Sequence, residues 1–273
     1  MLKKRLIPTL FLKNGLIVRS QNFVDFREFG NPLAQLERLN DWQADELIYI
    51  DITREGKHDL KRDDHKVQLG DMTDILRAIS KKCFMPLTFG GRIKSAGDAS
   101  WLIENGADKI VINSAAYKDP SIIGEIAKRY GSQCVVVGID VKRVEEGTWR
   151  LFTEQGRLEH DESPVSWAKK AENAGAGEIF LNSIDRDGTS NGYDLEIIEA
   201  VSSAVRIPVI ACGGAGSFDD FEEAFTKTSA SAVAAGNIFN FTENAYVRAK
   251  KQLLAAGVNV RLLDTHSKEG VLK

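Results

Sequence analysis

Leu10-Phe11-Leu12-Lys13 in the first part of the chain and Ile139-Asp140-Val141-Lys142 in the second are the same strand written twice, 129 positions apart. The repeat continues in matched spacing. Pro86, Gly91, Ser95 and Asp98 recur as Pro208, Gly213, Ser217 and Asp220, each 122 positions on, and Ala44-Asp45-Glu46 is echoed by Ala176-Gly177-Glu178. At one matched pair the repeat breaks, because Asp140 faces Phe11. A duplicated half that ends its matched strands in Asp describes a pseudo-symmetric site built for two opposed carboxylates, and here one of the two is a benzyl group.

Around that repeat, short β-branched apolar runs alternate with amphipathic stretches, the pattern of repeated βα units on a parallel sheet. Strands are expected near 6–11, 46–51, 85–89, 109–113, 134–140, 178–183, 207–212 and 231–236, each followed by a helix. Ser95-Ala-Gly-Asp98 and Ser217-Phe-Asp-Asp220 read as capping-box helix starts, and Pro120 suits a first helical turn. Eight strands, eight helices and a two-fold repeat point to α/β architecture closed as a single (β/α)8 barrel over 1–273, with half-barrels of about 1–131 and 132–257. In such a barrel function sits at the C-terminal ends of the strands.

Composition narrows the function classes. The 273 residues are 43% hydrophobic, enough for a sizeable core, and no linker or low-complexity tract divides them. A net charge of −3 without a basic stripe does not suit nucleic acid. Lys3-Lys4-Arg5 followed by Leu6 to Leu10 resembles a short signal peptide, but Lys13-Asn14 ends the apolar run and no small-residue cleavage site follows, so a buried first strand is expected. The sequence holds no apolar stretch of membrane-spanning length. Cys83, Cys134 and Cys212 are odd in number and far apart, which argues for reduced thiols and a cytoplasmic protein, with Cys134 and Cys212 expected as small core residues in strands.

Two glycine-rich turns carry the first functional signal. Cys212-Gly213-Gly214-Ala215-Gly216-Ser217 leaves strand seven and Ala235-Gly236-Asn237 ends strand eight, a pairing that lets backbone N–H groups approach an anion at a helix N-terminus. The first half repeats it with Gly90-Gly91-Arg92 and Asn113-Ser114. Such glycines ordinarily only make tight βα turns; their duplication favours two cradles and a substrate with two anionic groups. Arg92 stands where the second half has Gly214, a guanidinium able to hold an anion bidentately. Asp140 at the end of strand five, and Asp185 and Asp187 in Ile184-Asp185-Arg186-Asp187-Gly188-Thr189, are candidate acid–base groups, with loop capping as the ordinary role. Arg5, Glu46, Lys109 and Glu178 open strands one, two, four and six, so two cations and two anions are expected to ring the opposite end, as an ordinary salt-bridge plug or a gated mouth. His58, Asp59, Asp63, Asp64 and His65 share one loop, but interleaved Lys and Arg make it a solvated loop rather than a metal site, and neither metal nor cofactor is expected.

These residues closely resemble the HisF family, the cyclase subunit of imidazole glycerol phosphate synthase. The likeness runs from Lys4-Arg5-Leu-Ile-Pro8 through Gly106 to Ala116, Gly175 to Glu178, Ser183 to Thr189 and Cys212 to Gly216, and ends with Gly257-Val-Asn-Val-Arg261. The resemblance implies a barrel that docks a HisH-like glutaminase on its N-terminal face, takes ammonia through Arg5, Glu46, Lys109 and Glu178, and uses it at the C-terminal face. It also implies two acid–base aspartates, phosphate sites that include Gly188, and a loop-one lysine. One family aspartate matches Asp140, whereas the other falls on Phe11, the lysine falls on Arg19, a glycine falls on Arg92, and the stretch around His160-Asp161 lacks the family's Thr-Gly. Losing an acid–base group costs about 10²-fold to 10⁴-fold in rate, on the order of 3–5 kcal/mol. That combination resembles the HisF paralogues of surface-glycan synthesis, which implies ammonia delivery for turning an acetamido sugar into an acetamidino sugar, with a sugar amidotransferase as a further partner. The alternatives are the histidine-pathway cyclase and a catalytically silent barrel that only docks its glutaminase.

Overall fold

Arg5–Lys13 begins with a charge, continues through the apolar run Leu6 to Leu12 and ends in a lysine, so it enters the sheet as the strand β1 with its centre buried. The computed structural model describes residues 3–53, 72–241 and 243–262. The other strands are β2 (Leu16–Gln21), β3 (Asp25–Gly30), β4 (Leu47–Asp51), β5 (Leu87–Gly90), β6 (Lys109–Ile112), β7 (Val135–Glu145), β8 (Thr148–Thr153), β9 (Leu158–His160), β10 (Glu178–Ser183), β11 (Val209–Cys212) and β12 (Ala232–Ala235). Eight of them, in the order β10-β11-β12-β1-β4-β5-β6-β7, pair in parallel, and β7 returns to β10 to close the ring. This is a (β/α)8 barrel, and its eight strands fall where the apolar runs predict them.

Helices α1 (Pro32–Asp41), α2 (Met72–Ser80), α3 (Ala96–Glu104), α4 (Ser114–Lys118), α5 (Ser121–Tyr130), α6 (Pro164–Ala174), α7 (Leu195–Ser202), α8 (Phe218–Lys227), α9 (Ile238–Phe241) and α10 (Ala245–Ala255) fill the crossovers. Both predicted capping boxes form: Ser95 and Asp98 start α3, and Ser217 and Asp220 start α8. Pro120 lies one residue earlier than expected, at the N-cap of α5, where its fixed φ of −62° leads into the helix. Cys212 is buried in β11 as expected. Cys134 is not in a strand; it ends a 3₁₀ turn before β7, half-buried, with its thiol on the carbonyl of Tyr130.

The packing has two layers. Outside the barrel wall, helix faces and the outward residues of the strands form one core, including Trp167, Tyr49, Phe221 and Tyr246. Inside it, Ile7, Ile48, Val111, Val136, Phe180, Ile210, Cys212, Ala232 and Ala234 fill the lumen. The period-two alternation of each strand sends these residues inward and their neighbours out to the helices.

Two antiparallel hairpins rise from the barrel, and the repeat places them symmetrically. β1 turns back as β2 and β3, and β7 turns back as β8 and β9. The first turn is Asn14-Gly15 with φ of 52° and 83°, the doubly left-handed geometry of a tight hairpin, and the second carries Gly147 at φ 72°. These four strands lie outside the predicted set.

Candidate functional site

At the N-terminal end of the barrel the expected ring closes completely. Arg5 Nη1 donates to Glu46 Oε1 at 2.7 Å, Arg5 also pairs with Glu178, and Lys109 Nζ sits 3.1 Å from Glu46 Oε2 and 3.0 Å from Glu178 Oε2. Each cation touches both anions, so the charges alternate around the mouth. Burial disfavours the charge on Arg5, but Glu178 and Glu46 more than offset it and hold its pKa above the ordinary arginine range. Above the ring lies the apolar lumen.

At the other end the strand termini surround a cavity of about 1230 Å³. Phe11 from β1, Asp51 from β4, Gly91 and Arg92 after β5, Asn113 and Ser114 after β6, Asp140 from β7 and Asn182 from β10 all line it. Asp140 and Asn182 are cross-strand partners in the β7–β10 register, which fixes their side chains on the same side of the wall. Asn113 Nδ2 donates to Asp140 Oδ2 at 2.8 Å, and Asn182 donates to the same carboxylate. Burial pushes the Asp140 carboxyl up to about 7; the Asn182 hydrogen bond pulls it down, nearby Asp187 pushes it up, and Asn113 pulls it down. A carboxyl so poised exchanges protons near neutrality.

Phe11 occupies the opposed position as the repeat predicts. It is buried against Ile50 across the parallel ladder and Val18 across the hairpin, with its ring edge-on to Phe23 at 6.4 Å. The wall facing Asp140 is therefore aromatic.

The remaining predicted residues separate into those that reach the cavity and those that do not. Arg92 reaches it at φ 58°, with Nη1 3.8 Å from Asp51 Oδ2, so its guanidinium is already committed in part to a buried carboxylate. Ser114 lines the cavity while its Oγ accepts from the Glu154 N–H at 3.0 Å. Arg19 lies on β2 opposite Arg27 and does not line the cavity. Asp187 is buried instead beneath the β2–β3 hairpin, where it accepts from Ser20 Oγ at 2.5 Å and from the Phe23 N–H; burial raises its pKa. Asp185 accepts the Arg143 N–H at 2.7 Å, the structural role.

The strand seven and eight cradle does not open into the cavity. Gly188, Gly236 and Asn237 lie against the hairpin and β1: a Cβ on Gly188 would meet the Ser20 carbonyl at 2.1 Å, one on Gly236 would meet the Thr9 carbonyl at 2.7 Å, and Asn237 Nδ2 donates to Ser20 O. Gly214, at φ 109°, would drive a Cβ to 2.1 Å from the Gly192 carbonyl, and Gly213 would meet the Ser183 carbonyl at 2.6 Å. Backbone packing alone thus demands these glycines. At both cradles the N–H groups of the N-cap and of the residue before it are taken by the chain's own carboxylates, Asp220 for Gly216 and Ser217, and Asp98 for Lys94 and Ser95. A carboxylate introduced at Gly214 would wreck the turn rather than report on an anion.

Sequence reasoning missed Asp51, Asn182 and the cationic rim of Lys13, Lys94, Lys118, Lys142 and Arg157. Asp51 follows the apolar run Leu47 to Ile50 just as Asp140 follows Val135 to Ile139, a signal legible in the sequence, although β7 continues past Asp140 to Glu145. The loop with His58, Asp59, Asp63, Asp64 and His65 lies outside the described residues. Among the described residues no group of three or more His, Cys, Asp or Glu is arranged to hold a metal, and no helix is long and apolar enough to cross a membrane.

The chain is a (β/α)8 barrel with a charged ring at one end and a carboxylate-bearing cavity at the other, and it matches the family model for histidine biosynthesis proteins over residues 5–245. It belongs to the HisF family. Similar proteins, each named imidazole glycerol phosphate synthase subunit HisF, are those of Hydrogenobaculum sp. strain Y04AAS1 (43% identical), Alkaliphilus metalliredigens (41%) and Hyphomonas neptunium (44%). Each match covers 96% of this chain, and 100%, 100% and 99% of the respective relative. Their shared name is that of the histidine-pathway alternative and carries no mention of a sugar.

Proposed function

We propose that this chain is the ammonia-using synthase subunit of a glutamine-dependent complex, with a HisH-like glutaminase on its N-terminal face. The observation that carries the reading is the alignment of three things on one axis: the Arg5–Glu46–Lys109–Glu178 ring, the apolar lumen and the proton-exchanging Asp140. An apolar lumen is far less costly for neutral ammonia than for ammonium, so nitrogen reaches the cavity as the nucleophile. There Asp140 accepts a proton as nitrogen adds to an electrophilic carbon, or returns one to a departing oxygen. Sedimentation of the chain with its glutaminase should give a heterodimer with raised glutaminase turnover. Absence of a complex together with unchanged turnover overturns the reading.

The relatives' name supports imidazole glycerol phosphate as the product. A second reading rests on Phe11, which removes the proton-transfer group opposite Asp140: attack of ammonia on an acetamido carbon already activated at its oxygen by a partner enzyme yields an amidine without closing a ring. Complementation separates the two. A histidine auxotroph lacking its own cyclase, supplied with this gene, should grow under the first reading and stay auxotrophic under the second, where Phe11→Asp is expected to restore at most a trace of growth.

A further inference from the structure

Beside the main cavity lies a small annex of about 20 Å³, lined by Phe11, Ser20, Phe23, Phe26, Ile52 and Gln155. All of these except Ser20 also line the main cavity, so the annex opens onto the chamber that holds Asp140. Its size exceeds the roughly 10–15 Å³ that one water needs, but only by enough for a single small group. Its walls are mainly three phenyl rings and an isoleucine, and its two polar side chains are engaged or peripheral to it: Ser20 Oγ donates to Asp187, and Gln155 Nε2 donates to the Ile52 carbonyl. A water there would lack the two to four polar partners it requires, whereas a methyl group would lose nothing. The T-shaped Phe11–Phe23 contact forms one side, so the ring that stands opposite Asp140 also walls the annex.

We propose that this annex is a specificity subsite for the methyl of a small acyl group, placing the acyl carbon at its mouth within the cavity of Asp140. The acceptor it fits bears an acetamido group, and the proposal rests on the second, amidine-forming reading. One methyl in a fitted apolar pocket is worth roughly tenfold or more in discrimination.

Titration calorimetry on the full chain tests it, using a 2-acetamido sugar 1-phosphate and its N-formyl and N-butyryl analogues. The acetyl compound should bind about tenfold tighter than the formyl one, because it alone fills the annex, and tighter than the butyryl one, which overfills it. Phe23→Ala removes one wall at a half-buried hairpin position and should abolish the acetyl preference while admitting butyryl. Ile52→Phe fills the annex from the barrel side and should abolish the preference without admitting butyryl, so the test does not depend on one variant. Equal affinity for all three analogues, or a preference that survives both substitutions, overturns the subsite and leaves the amidine reading standing. Binding of none of them overturns both.

Discussion

Asp140 is the residue on which the proposed chemistry turns, and its environment makes a measurable demand on stability. Burial raises the folded carboxyl from its ordinary value of 3.8 to about 7, so between those values the folded chain holds a proton that the unfolded chain has released. Stability is therefore lost as pH rises from about 4 through 7, the reverse of the usual behaviour of a paired carboxylate. Asp140→Asn removes that penalty. Urea unfolding should show the variant gaining on the native chain between pH 5 and pH 8, by on the order of 2 kcal/mol once the full shift is discounted for the cavity's water. The same variant should lose at least a hundredfold in synthase turnover. A stability difference that stays flat with pH would show that the carboxyl titrates as an ordinary surface group. Asn113→Ala offers the complementary reading, since losing a hydrogen bond that favours the carboxylate moves upward whichever limb of the activity profile Asp140 sets, the acid limb if it acts as base and the alkaline limb if it acts as acid.

At the scale of elements, the β2–β3 hairpin is a cover whose anchor can be removed. Asp187 ties it down through Ser20 Oγ and the Phe23 N–H, and the Asn22 N–H donates to the Asp187 carbonyl at 2.9 Å. Asp187→Ala strands the Ser20 hydroxyl and the Phe23 N–H while leaving the Asn22 N–H on the backbone carbonyl, and should cost about 1–2 kcal/mol, with faster amide hydrogen exchange over residues 16–30 and little change in the barrel strands. Unchanged exchange there would mean that Phe11–Phe23 packing alone holds the hairpin. This element also marks where sequence reading stops. Barrel strands announce themselves because they are buried on both faces and read as continuous apolar runs, and helix starts announce themselves through caps such as Ser95-Asp98. The hairpin strand Asp25–Gly30 is DFREFG, polar and half-exposed, with neither run nor clean alternation. Its one legible mark is the Asn14-Gly15 turn, in a segment read as the point where an apolar run ends. Asp187 was misplaced for the same reason: its local sequence shows a carboxylate after a strand, while the hairpin that buries it comes from the far end of the chain. Asp140 and Phe11 were legible because the internal repeat supplies a comparison within a single sequence.

For the molecule as a whole, the barrel separates two charged ends by a plug of hydrocarbon. The ring is held by four alternating contacts, and removing Glu178 would leave Arg5 and Lys109 sharing one anion in a largely buried mouth, a loss of roughly 3 kcal/mol that chemical denaturation would register. The narrowest chemical requirement falls on the lumen, where β12 contributes only Ala232 and Ala234 beside the larger Ile7, Ile48 and Ile210. Ala234→Leu adds three carbons to a packed layer and should cost about 1–3 kcal/mol through overpacking. If the lumen is the route for ammonia, this variant should also lose glutamine-dependent synthesis while keeping synthesis driven by added ammonium salt at alkaline pH, where free ammonia reaches the cavity from its open end. Equal loss of both activities would locate the damage at the cavity, and equal retention would show that nitrogen arrives by another path.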